Sequence, residues 1–408
     1  VKAGGMRVNA RWKACGSVRR VRLHGTIIED GAPCRRLVGV LTARKTPTQV
    51  VAATRTQCGD GIVDPSAGET CDPPGASCSD ACGGSDSGPI DVPARTWTWV
   101  PLSDAFCADG STTGIGVNPG DASGRLLVFL MGGGACWDEA TCYVLGTASY
   151  ITGGYGPGQF ASDATGLLAS SLFDRTDAAN PFRNDSFVFV PYCTGDVHAG
   201  SNPAAVYGAH TVRHVGYQNM TAILRRLVPT FPNSSRVILS GASAGGYGAL
   251  TNWWQTQQAF GATRVDLLDD SGPPLPAPYA SAGLNQTWRN AWSLDAAAPA
   301  GCVACATDPS ALIAFYGTSF AGHRAALLSY TQDGIISFFY QISASQMTAG
   351  LAALANEMAP YDLWRHFYVT GSSHTMVGTP DLTQSGVTLR TYLTKMVTDD
   401  PAWASVEP

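Results

Sequence analysis

The stretch RVILSGASAGG, residues 236–246, places Ser243 inside a G-x-S-x-G motif directly behind a short apolar run. This arrangement is typical of a nucleophile elbow, in which the serine occupies a strained turn and small neighbours avoid steric clashes. The next residues, 246–258, contain no proline and can form a helix. The stretch therefore predicts a strand, a sharp turn that carries the serine, and a helix whose N-terminus faces the reacting oxygen.

A serine nucleophile needs a neutral imidazole to take its proton and a carboxylate to orient that imidazole. In the chain order of α/β-hydrolases, both partners follow the serine. Three histidines lie downstream of it, namely His323, His366 and His374. His374 is the predicted base because it lies in a turn-rich loop just after an apolar run, whereas His366 heads that run and is more typical of a structural histidine.

The acid has two candidates. Asp333 lies in a loop after a predicted strand, one strand before His374, which is the usual position. Asp270 closes the strand after the nucleophile helix, from where a carboxylate can also reach the histidine in some related folds. The alternative for the pair Asp269 and Asp270 is a loop anchor that accepts backbone N–H groups from the turn before Pro273. Position along the chain favours Asp333.

The developing oxyanion needs two preorganised N–H donors. One usually belongs to the residue after the nucleophile, here Ala244, and the other to a loop behind an earlier strand. The apolar run 126–131 is followed by three glycines, and these predict Gly133 or Gly134 as the second donor. A phosphate-binding glycine loop is disfavoured, because the lysine, the hydroxyl and the spaced acid that such loops need are missing.

Composition sets the class of protein. With 408 residues and 45% apolar side chains, the chain can form one large globular domain with smaller modules attached. No apolar run is long enough to span a membrane. The chain begins without the apolar segment of a signal peptide, which indicates a leader that was removed or never present. Serine chemistry requires no metal and no organic cofactor, and none is predicted.

The cysteines indicate the compartment. Twelve of them are concentrated in turn-rich segments, which favours disulfides formed outside the cytosol and a secreted or cell-surface protein. Cys302 and Cys305 also have the C-x-x-C spacing of a zinc site. Zinc is the less favoured alternative, because neither a second pair nor a nearby histidine accompanies them.

The charge is divided unevenly along the chain. Residues 1–57 hold twelve Lys or Arg against two acids, a net charge of +10, which leaves −15 on the remainder. Alternating stretches at 20–28 and 36–42 predict a small antiparallel β module, which Cys15 and Cys34 could clip together. The basic face is either simply solvated or docks on an anionic polymer or cell surface. Nucleic-acid binding is disfavoured because Trp12 is the only aromatic residue there.

A cysteine-rich segment follows at 58–83. Its elements CGDG and GETCD resemble the short cysteine-rich repeats of extracellular myxobacterial proteins, in a single copy. Such a small segment needs two disulfides, because apolar burial alone cannot hold it together. Residues 84–95 then predict a linker, and residues 96–408 the catalytic domain.

From about residue 97 onward the sequence resembles the pectin acetylesterase and Notum family of α/β-hydrolases. Five elements carry the resemblance: GGGAC at 132–136 with Cys142, PYCTGD at 191–196, GASAGG at 241–246, DSG at 270–272 and SH at 373–374. The resemblance implies a mostly parallel sheet with helices on both faces. It also implies Ser243 as nucleophile, Asp333 as acid, His374 as base, Gly133, Gly134 and Ala244 as oxyanion donors, and the disulfides Cys107–Cys193, Cys136–Cys142 and Cys302–Cys305.

One departure from the family bears on specificity. Ala135 stands where plant members typically have tryptophan, and losing an indole there predicts a wider pocket.

Three functions follow from these residues. The favoured one is a secreted serine carboxylic-ester hydrolase that deacetylates a polysaccharide such as pectin through an acyl-enzyme. The first alternative is a broader esterase that acts on aryl, acyl-chain or polymeric polyesters. The second is a non-catalytic protein that binds a surface or a polysaccharide.

Overall fold

The computed structural model describes residues 88–120 and 124–408, together with the backbone of four strands within the first 54 residues. The chain divides into two units, Val1–Ser85 and Asp86–Pro408. The predicted cysteine-rich segment at 58–83, and the cysteines at positions 15 and 34, lie outside the described residues. The predicted boundaries at 57, 83 and 95 stay predictions.

The first unit contains a four-stranded antiparallel sheet in which each strand pairs with the next. Its strands are β1 (Gly5–Ala14), β2 (Ser17–Ile28), β3 (Arg36–Thr42) and β4 (Gln49–Thr54). The two stretches predicted as strands at 20–28 and 36–42 are part of β2 and β3.

The second unit is built on an eight-stranded sheet. In spatial order its strands are β14 (Trp364–Val369), β13 (Ala325–Tyr330), β12 (Arg264–Asp270), β11 (Arg236–Ala242), β7 (Arg125–Leu130), β8 (Ser186–Val190), β6 (Thr112–Asn118) and β5 (Thr98–Phe106). The six strands from β14 to β8 are parallel, and β6 and β5 continue the sheet as antiparallel strands. The predicted mostly parallel sheet is confirmed.

Helices connect the parallel strands, and a last helix follows β14. They are α1 (Pro157–Thr165), α2 (Gly216–Thr230), α3 (Ala244–Phe260), α4 (Ala282–Trp292), α5 (Ala311–Ser319), α6 (Gly334–Tyr340), α7 (Ala344–Met358) and α8 (Leu389–Val397). Two hairpins complete the unit, β9 (Asn202–Tyr207) with β10 (His210–His214) and β15 (Thr383–Gln384) with β16 (Val387–Thr388). None of the described helices has the length and apolarity that crossing a membrane requires.

The central strands are apolar on both faces, as buried parallel strands usually are. Val237 and Leu239 of β11 belong to the core that contains Trp253 of α3. Ile238, between them, belongs to a second core that contains Tyr392 of α8. Because successive side chains of a strand point to opposite faces, a continuous apolar run buries the sheet between two layers of helices.

The strand order reverses between β7 and β11. After β7 the chain adds β8 on one side, and later it adds β11, β12, β13 and β14 on the other. In open α/β sheets the crevice at the carboxyl ends of the strands beside such a reversal is the usual binding site. The predicted glycine loop follows β7 and Ser243 follows β11, so both lie at this reversal.

Arginines close the opposite edge of the sheet, where the parallel strands begin. Arg236 forms an ion pair with Asp266, which is fully buried, and donates to the carbonyl of Val397 at 2.8 Å. Arg324 donates to the carbonyl of Lys395 at 2.8 Å. These carbonyls end α8, whose C-terminus carries partial negative charge. The buried Asp266 therefore holds both arginines in place, through the guanidinium of Arg236 and through the backbone N–H of Arg324, which donates to Asp266 at 2.7 Å.

We expect Asp266→Ala to lower the free energy of unfolding by about 3–5 kcal/mol, because the change deprives the buried Arg236 of its nearest counter-ion. Asp295→Ala is the control, since Asp295 pairs with Arg289 while its side chain is 64% exposed, and we expect less than about 1 kcal/mol there. Urea denaturation of both variants measures the difference. Equal losses in the two variants would contradict a structural role for Asp266.

Candidate active site

Ser243 forms a strained turn between β11 and α3. Its backbone has φ +59° and ψ −122°, a region that favours glycine. Hydrogen bonds hold the turn: Ser243 N–H donates to the carbonyl of Asp270 at 2.7 Å, and Gly246 N–H donates to the carbonyl of Ser243 at 2.9 Å. The predicted strand, turn and helix are all observed, with α3 beginning at the residue after the serine.

The glycines around Ser243 are required by close backbone approaches. A Cβ atom on Gly241 would overlap the carbonyl of Gly245, and one on Gly245 would overlap the carbonyl of Leu130 in β7. A Cβ atom on Gly246 would overlap the carboxylate of Asp269. The small residues of the motif thus allow α3 to start directly against the neighbouring strands.

The predicted acid and base are hydrogen-bonded to each other. Nδ1 of His374 lies 2.7 Å from Oδ2 of Asp333, whose side chain is fully buried. The other oxygen, Oδ1, caps α6 by accepting the N–H groups of Ile335 and Ile336 at 2.9 and 3.0 Å. A carboxylate at Nδ1 favours the tautomer that carries its proton there, so that Nε2 can accept a proton.

Nε2 of His374 is buried and has no hydrogen-bond partner among the described residues. The structure therefore contains the acid–base pair without a hydrogen bond to Ser243. Such bonds are often long in ligand-free enzymes and tighten when substrate binds.

Asp270 positions the histidine loop instead of contacting the histidine ring. Its Oδ2 accepts the N–H groups of Met376 and Val377, each at 2.8 Å. Burial raises the pKa of Asp270, and these backbone N–H groups and the nearby His374 act against that rise. The contact joins residues 106 and 107 positions apart, and no local sequence signal indicates it. Asp269 is the carboxylate that holds the turn before the prolines, by accepting Gly272 N–H at 2.8 Å.

Of the predicted oxyanion donors, Ala244 directly follows Ser243, and the two glycines follow β7, the strand beside β11. Ala244 is the first residue of α3, where a backbone N–H has no partner within the helix. Gly133 and Gly134 have φ of +152° and +76°. Their carbonyls accept hydrogen bonds from Ser149 N–H and the hydroxyl of Tyr192, each at 2.8 Å. The carbonyls of both glycines are thus engaged, and their N–H groups remain the predicted donors.

A pocket opens beside the serine, with a cavity volume of about 50 Å³. It is lined by Gly134, Ala135, Val197, Ser243, Ala244, Tyr247, Gly272, Pro273, Trp288, Trp292, Ile336, Phe339 and Tyr340. Gly134 and Ala244 thus share the pocket with the nucleophile, whereas Gly133 is not among the lining residues. The volume is far below the roughly 300–1,000 Å³ of sites for drug-sized ligands. The pocket suits a group of a few non-hydrogen atoms.

Ala135 lines the cavity beside Ser243 together with aromatic rings of α4 and α6. The ring of Trp137, two residues later, lies 5.8 Å from that of Trp288 and 6.4 Å from that of Phe339. Trp292 donates its indole N–H to the carbonyl of Cys136 at 2.8 Å, which ties α4 to the glycine loop.

The structure contains the three disulfides that the resemblance implied, Cys107–Cys193, Cys136–Cys142 and Cys302–Cys305. Cys302 and Cys305 are bonded to each other and so cannot supply zinc with thiolates. The described residues also bring Cys136 and Cys142 close to His214, but these two sulfur atoms are likewise in a disulfide.

The two remaining downstream histidines have structural surroundings. Nδ1 of His323 contacts the carbonyl of Val265 at 2.8 Å, and the ring of His366 stacks on Tyr368.

A buried histidine upstream of the elbow was missed by sequence reasoning. Nε2 of His198 contacts the carbonyl of Met131 at 2.8 Å, immediately before the glycine loop. Burial lowers its pKa against the opposing effects of Met131 and Asp196, which favours the neutral ring. Asp196 accepts the N–H groups of His198 and Gly216. Asp196 and His198 together anchor the glycine loop. The sequence signal that could have indicated this role is the motif PYCTGD.

Comparison with known proteins identifies the family of this chain. The family model described as Pectinacetylesterase matches residues 96–318, more than half of the chain. The matched stretch contains the glycine loop and Ser243, and it ends before Asp333 and His374.

Curated relatives match over shorter stretches. Palmitoleoyl-protein carboxylesterase notum2 of Xenopus laevis is 33% identical over 149 residues, which cover 36% of this chain and 29% of that protein. Palmitoleoyl-protein carboxylesterase NOTUM of Homo sapiens is 28% identical over 41% of this chain and 34% of its own. Pectin acetylesterase 11 of Arabidopsis thaliana is 28% identical over 41% of this chain and 42% of its own. The aligned part thus spans less than half the length of each of these relatives.

Among solved structures, that of the Wnt deacylase Notum from Drosophila is similar to this one. The TM-score is 0.56 at 17% sequence identity, and the alignment covers 77% of this chain and 97% of the other. At this identity the likeness concerns the fold, which is an α/β-hydrolase-like sheet with helices on both faces.

We expect Asp333→Asn to lower kcat by about 10³–10⁴-fold with little change in KM, because the amide can donate to Nδ1 and favour the wrong tautomer of His374. Asparagine caps helices as well as aspartate does, so α6 should persist. Asp270→Asn is the matched variant, and we expect a smaller loss of kcat with a lower Tm. Steady-state kinetics on 4-nitrophenyl acetate and thermal unfolding measure both. The reverse order of kcat losses would transfer the acid role to Asp270.

Proposed function

The chain belongs to the pectinacetylesterase family, and we propose on that ground that it hydrolyses carboxylic esters through a covalent acyl-enzyme on Ser243. The observation that carries the proposal is the buried pair of Asp333 and His374, with Nε2 of the histidine left free to accept a proton. The elbow and the pair occupy the same edge of the sheet, after β11, β13 and β14.

In the proposed reaction, His374 Nε2 takes the proton of the Ser243 hydroxyl as its oxygen attacks the ester carbonyl carbon. Asp333 stabilises the resulting imidazolium, and the N–H groups of Ala244 and Gly134 stabilise the oxyanion. The C–O bond to the alcohol then breaks, and the alcohol leaves with the proton from His374. A water molecule, deprotonated by the same nitrogen, attacks the acyl-enzyme and releases the carboxylic acid and Ser243.

For the natural substrate we propose an acetylated polysaccharide such as pectin. The family model and the similarity to a plant pectin acetylesterase support this choice. The cavity of about 50 Å³ beside Ser243 also supports it, since a short acyl group fits there. A long acyl chain, such as the palmitoleoyl group in the names of the Notum relatives, would need considerably more room.

We further propose that the protein works outside the cell. The three disulfides support this, because such bonds persist in oxidising compartments. Residues 1–57, with a net charge of +10, are proposed to dock on an anionic polymer or surface. Attraction between opposite charges would raise the concentration of enzyme at an acidic polysaccharide.

A broader esterase is the second candidate. The apolar lining favours it, because Trp288, Trp292 and Phe339 would contact aryl or alkyl groups as readily as acetyl. It would act on aryl, acyl-chain or polymeric polyesters. A purely binding protein is the third candidate, and the hydrogen-bonded pair of Asp333 and His374 argues against it.

We expect Ser243→Ala to reduce hydrolysis of 4-nitrophenyl acetate to near background, a loss of about 10⁴–10⁶-fold, because no nucleophile remains. Ser240→Ala is the matched control. Its hydroxyl is buried three residues upstream on β11 and has no partner among the described residues, so activity should be retained. Hydrolysis by the Ser243→Ala variant at the wild-type rate would rule out an acyl-enzyme on Ser243.

The dependence of kcat/KM on acyl-chain length distinguishes the first two candidate functions. We expect kcat/KM to fall at least tenfold between the butyrate and octanoate esters of 4-nitrophenol, because the small cavity cannot hold the longer chain. Release of acetate from acetylated pectin and acetylated xylan, measured beside an insoluble polyester, tests the polymer. A kcat/KM that rises with chain length, or preferential hydrolysis of the polyester, would favour the broader esterase.

A further inference from the structure

A second cavity lies next to the pocket that contains Ser243. Its volume is about 20 Å³, and mainly apolar side chains line it. Of the described residues that line the two cavities, Tyr247 is the one that belongs to both. The two cavities are therefore neighbours that share this side chain.

Three chain segments line the two cavities one after the other. On α3, Tyr247 lines the pocket of Ser243, and Thr251, four residues later, lines the second cavity. An α-helix rises about 5.4 Å per turn, so the second cavity begins roughly one turn further along α3. The other two segments supply Val197 and Trp292 to the first cavity and Ala199 and Leu294 to the second. The second cavity thus continues the pocket along α3, away from Ser243.

Tyr247 forms the wall between the two cavities. It lies one helical turn after Ser243, and its backbone N–H donates to the Ser243 carbonyl at 3.2 Å. The residue is only 8% exposed, and its hydroxyl has no hydrogen-bond partner among the described residues. Packing therefore holds the ring in this place, and a smaller side chain would forfeit no side-chain hydrogen bond that the structure shows.

We propose that Tyr247 is a specificity-determining residue that ends the acyl pocket and restricts the enzyme to short acyl groups. The second cavity is the space that a longer acyl chain would enter if this side chain were small. The inference rests on the proposed esterase function and deepens it, because it assigns the upper limit of acyl length to one side chain.

The size and lining of the cavities assign them to the acyl side of the ester. The alcohol of a polysaccharide continues as a polymer and cannot enter a cavity of about 50 Å³. Gly134 and Ala244, the proposed oxyanion donors, line the first cavity together with Tyr247. Leu294 and Leu312 of the second cavity offer apolar contacts to an alkyl chain. One methylene in a hydrophobic pocket changes kcat/KM by roughly 10–200-fold, so even limited extra room alters the preference.

The test measures kcat/KM for 4-nitrophenyl acetate, butyrate and hexanoate. The readout is the ratio of kcat/KM for the hexanoate to that for the acetate. We expect Tyr247→Ala to raise this ratio at least about tenfold over wild type, because the chain can pass into the second cavity. Tyr247→Phe keeps the ring and loses only the hydroxyl, so we expect the wild-type ratio. The ratio does not depend on the fraction of enzyme that is folded.

Filling the second cavity tests the path of the chain. Ala298 is partly buried and lines the second cavity. In the double variant Tyr247→Ala/Ala298→Leu, the leucine occupies part of that cavity, and we expect the ratio to return toward the wild-type value. Ala298→Leu alone should leave the ratio unchanged, since Tyr247 still closes the pocket.

A buried tyrosine on the other face of the sheet controls for the general effect of a cavity. Tyr392 is buried, and its hydroxyl also has no partner among the described residues. It belongs to the core that contains Phe367, away from the pocket, so Tyr392→Ala should keep the wild-type ratio. Tyr247→Leu is the milder second variant if Tyr247→Ala does not fold, and circular dichroism shows which variants are folded.

The possible results separate this inference from the proposed function. An unchanged ratio in Tyr247→Ala and Tyr247→Leu, with the acetate still hydrolysed, would overturn the inference and leave the esterase function intact. A rise that persists in the double variant, or that also occurs in Tyr392→Ala, would overturn it as well. A wild-type enzyme that prefers the hexanoate would show that Tyr247 sets no limit. A wild-type enzyme that hydrolyses none of the three esters would instead overturn the proposed function.

Discussion

The candidate site depends on Asp270, because this one residue joins two loops that the sheet keeps apart. β14, which precedes the histidine loop, is separated from β11 by two strands. Asp270 lies at the end of the strand next to β11, where its carbonyl accepts the N–H of Ser243. Its carboxylate accepts the N–H groups of Met376 and Val377, just beyond His374. Without these bonds nothing in the strand order would bring the histidine loop back toward the elbow.

Asp333 likewise supports two parts of the site with one side chain. One carboxylate oxygen caps α6 and the other orients His374. A carboxylate that accepts several bonds in a buried site loses freedom of rotation, and its geometry is then set by the backbone that donates to it. The candidate acid is held by the first turn of a helix, and the candidate base is held by that acid. The Met131 carbonyl, held by His198, gives the glycine loop a comparable support.

Much of this could be predicted from residues that are close in sequence. The motif around Ser243 predicted β11 and the start of α3, because the small residues of the elbow are required by local backbone approaches. The positions of Asp333 and His374 in loops after predicted strands favoured them as acid and base, and the two side chains are hydrogen-bonded to each other. The role of Asp270 could not be predicted, since its partners lie more than a hundred residues away. The aromatic lining of the pocket was equally hidden, because its rings come from α4 and α6, far along the chain.

Helices α4 and α6 both supply rings to the pocket, but they differ in whether they are linked to a proposed catalytic residue. Helix α4 holds Trp288 and Trp292 but contains none of the proposed catalytic residues, and it lies wholly between β12 and β13. Helix α6 begins at the cap formed by Asp333. Substitutions in α4 can therefore diversify acyl selectivity during evolution while turnover is preserved. Substitutions in the first turn of α6 perturb recognition and turnover together, so α4 is the segment where new specificities can arise at least cost.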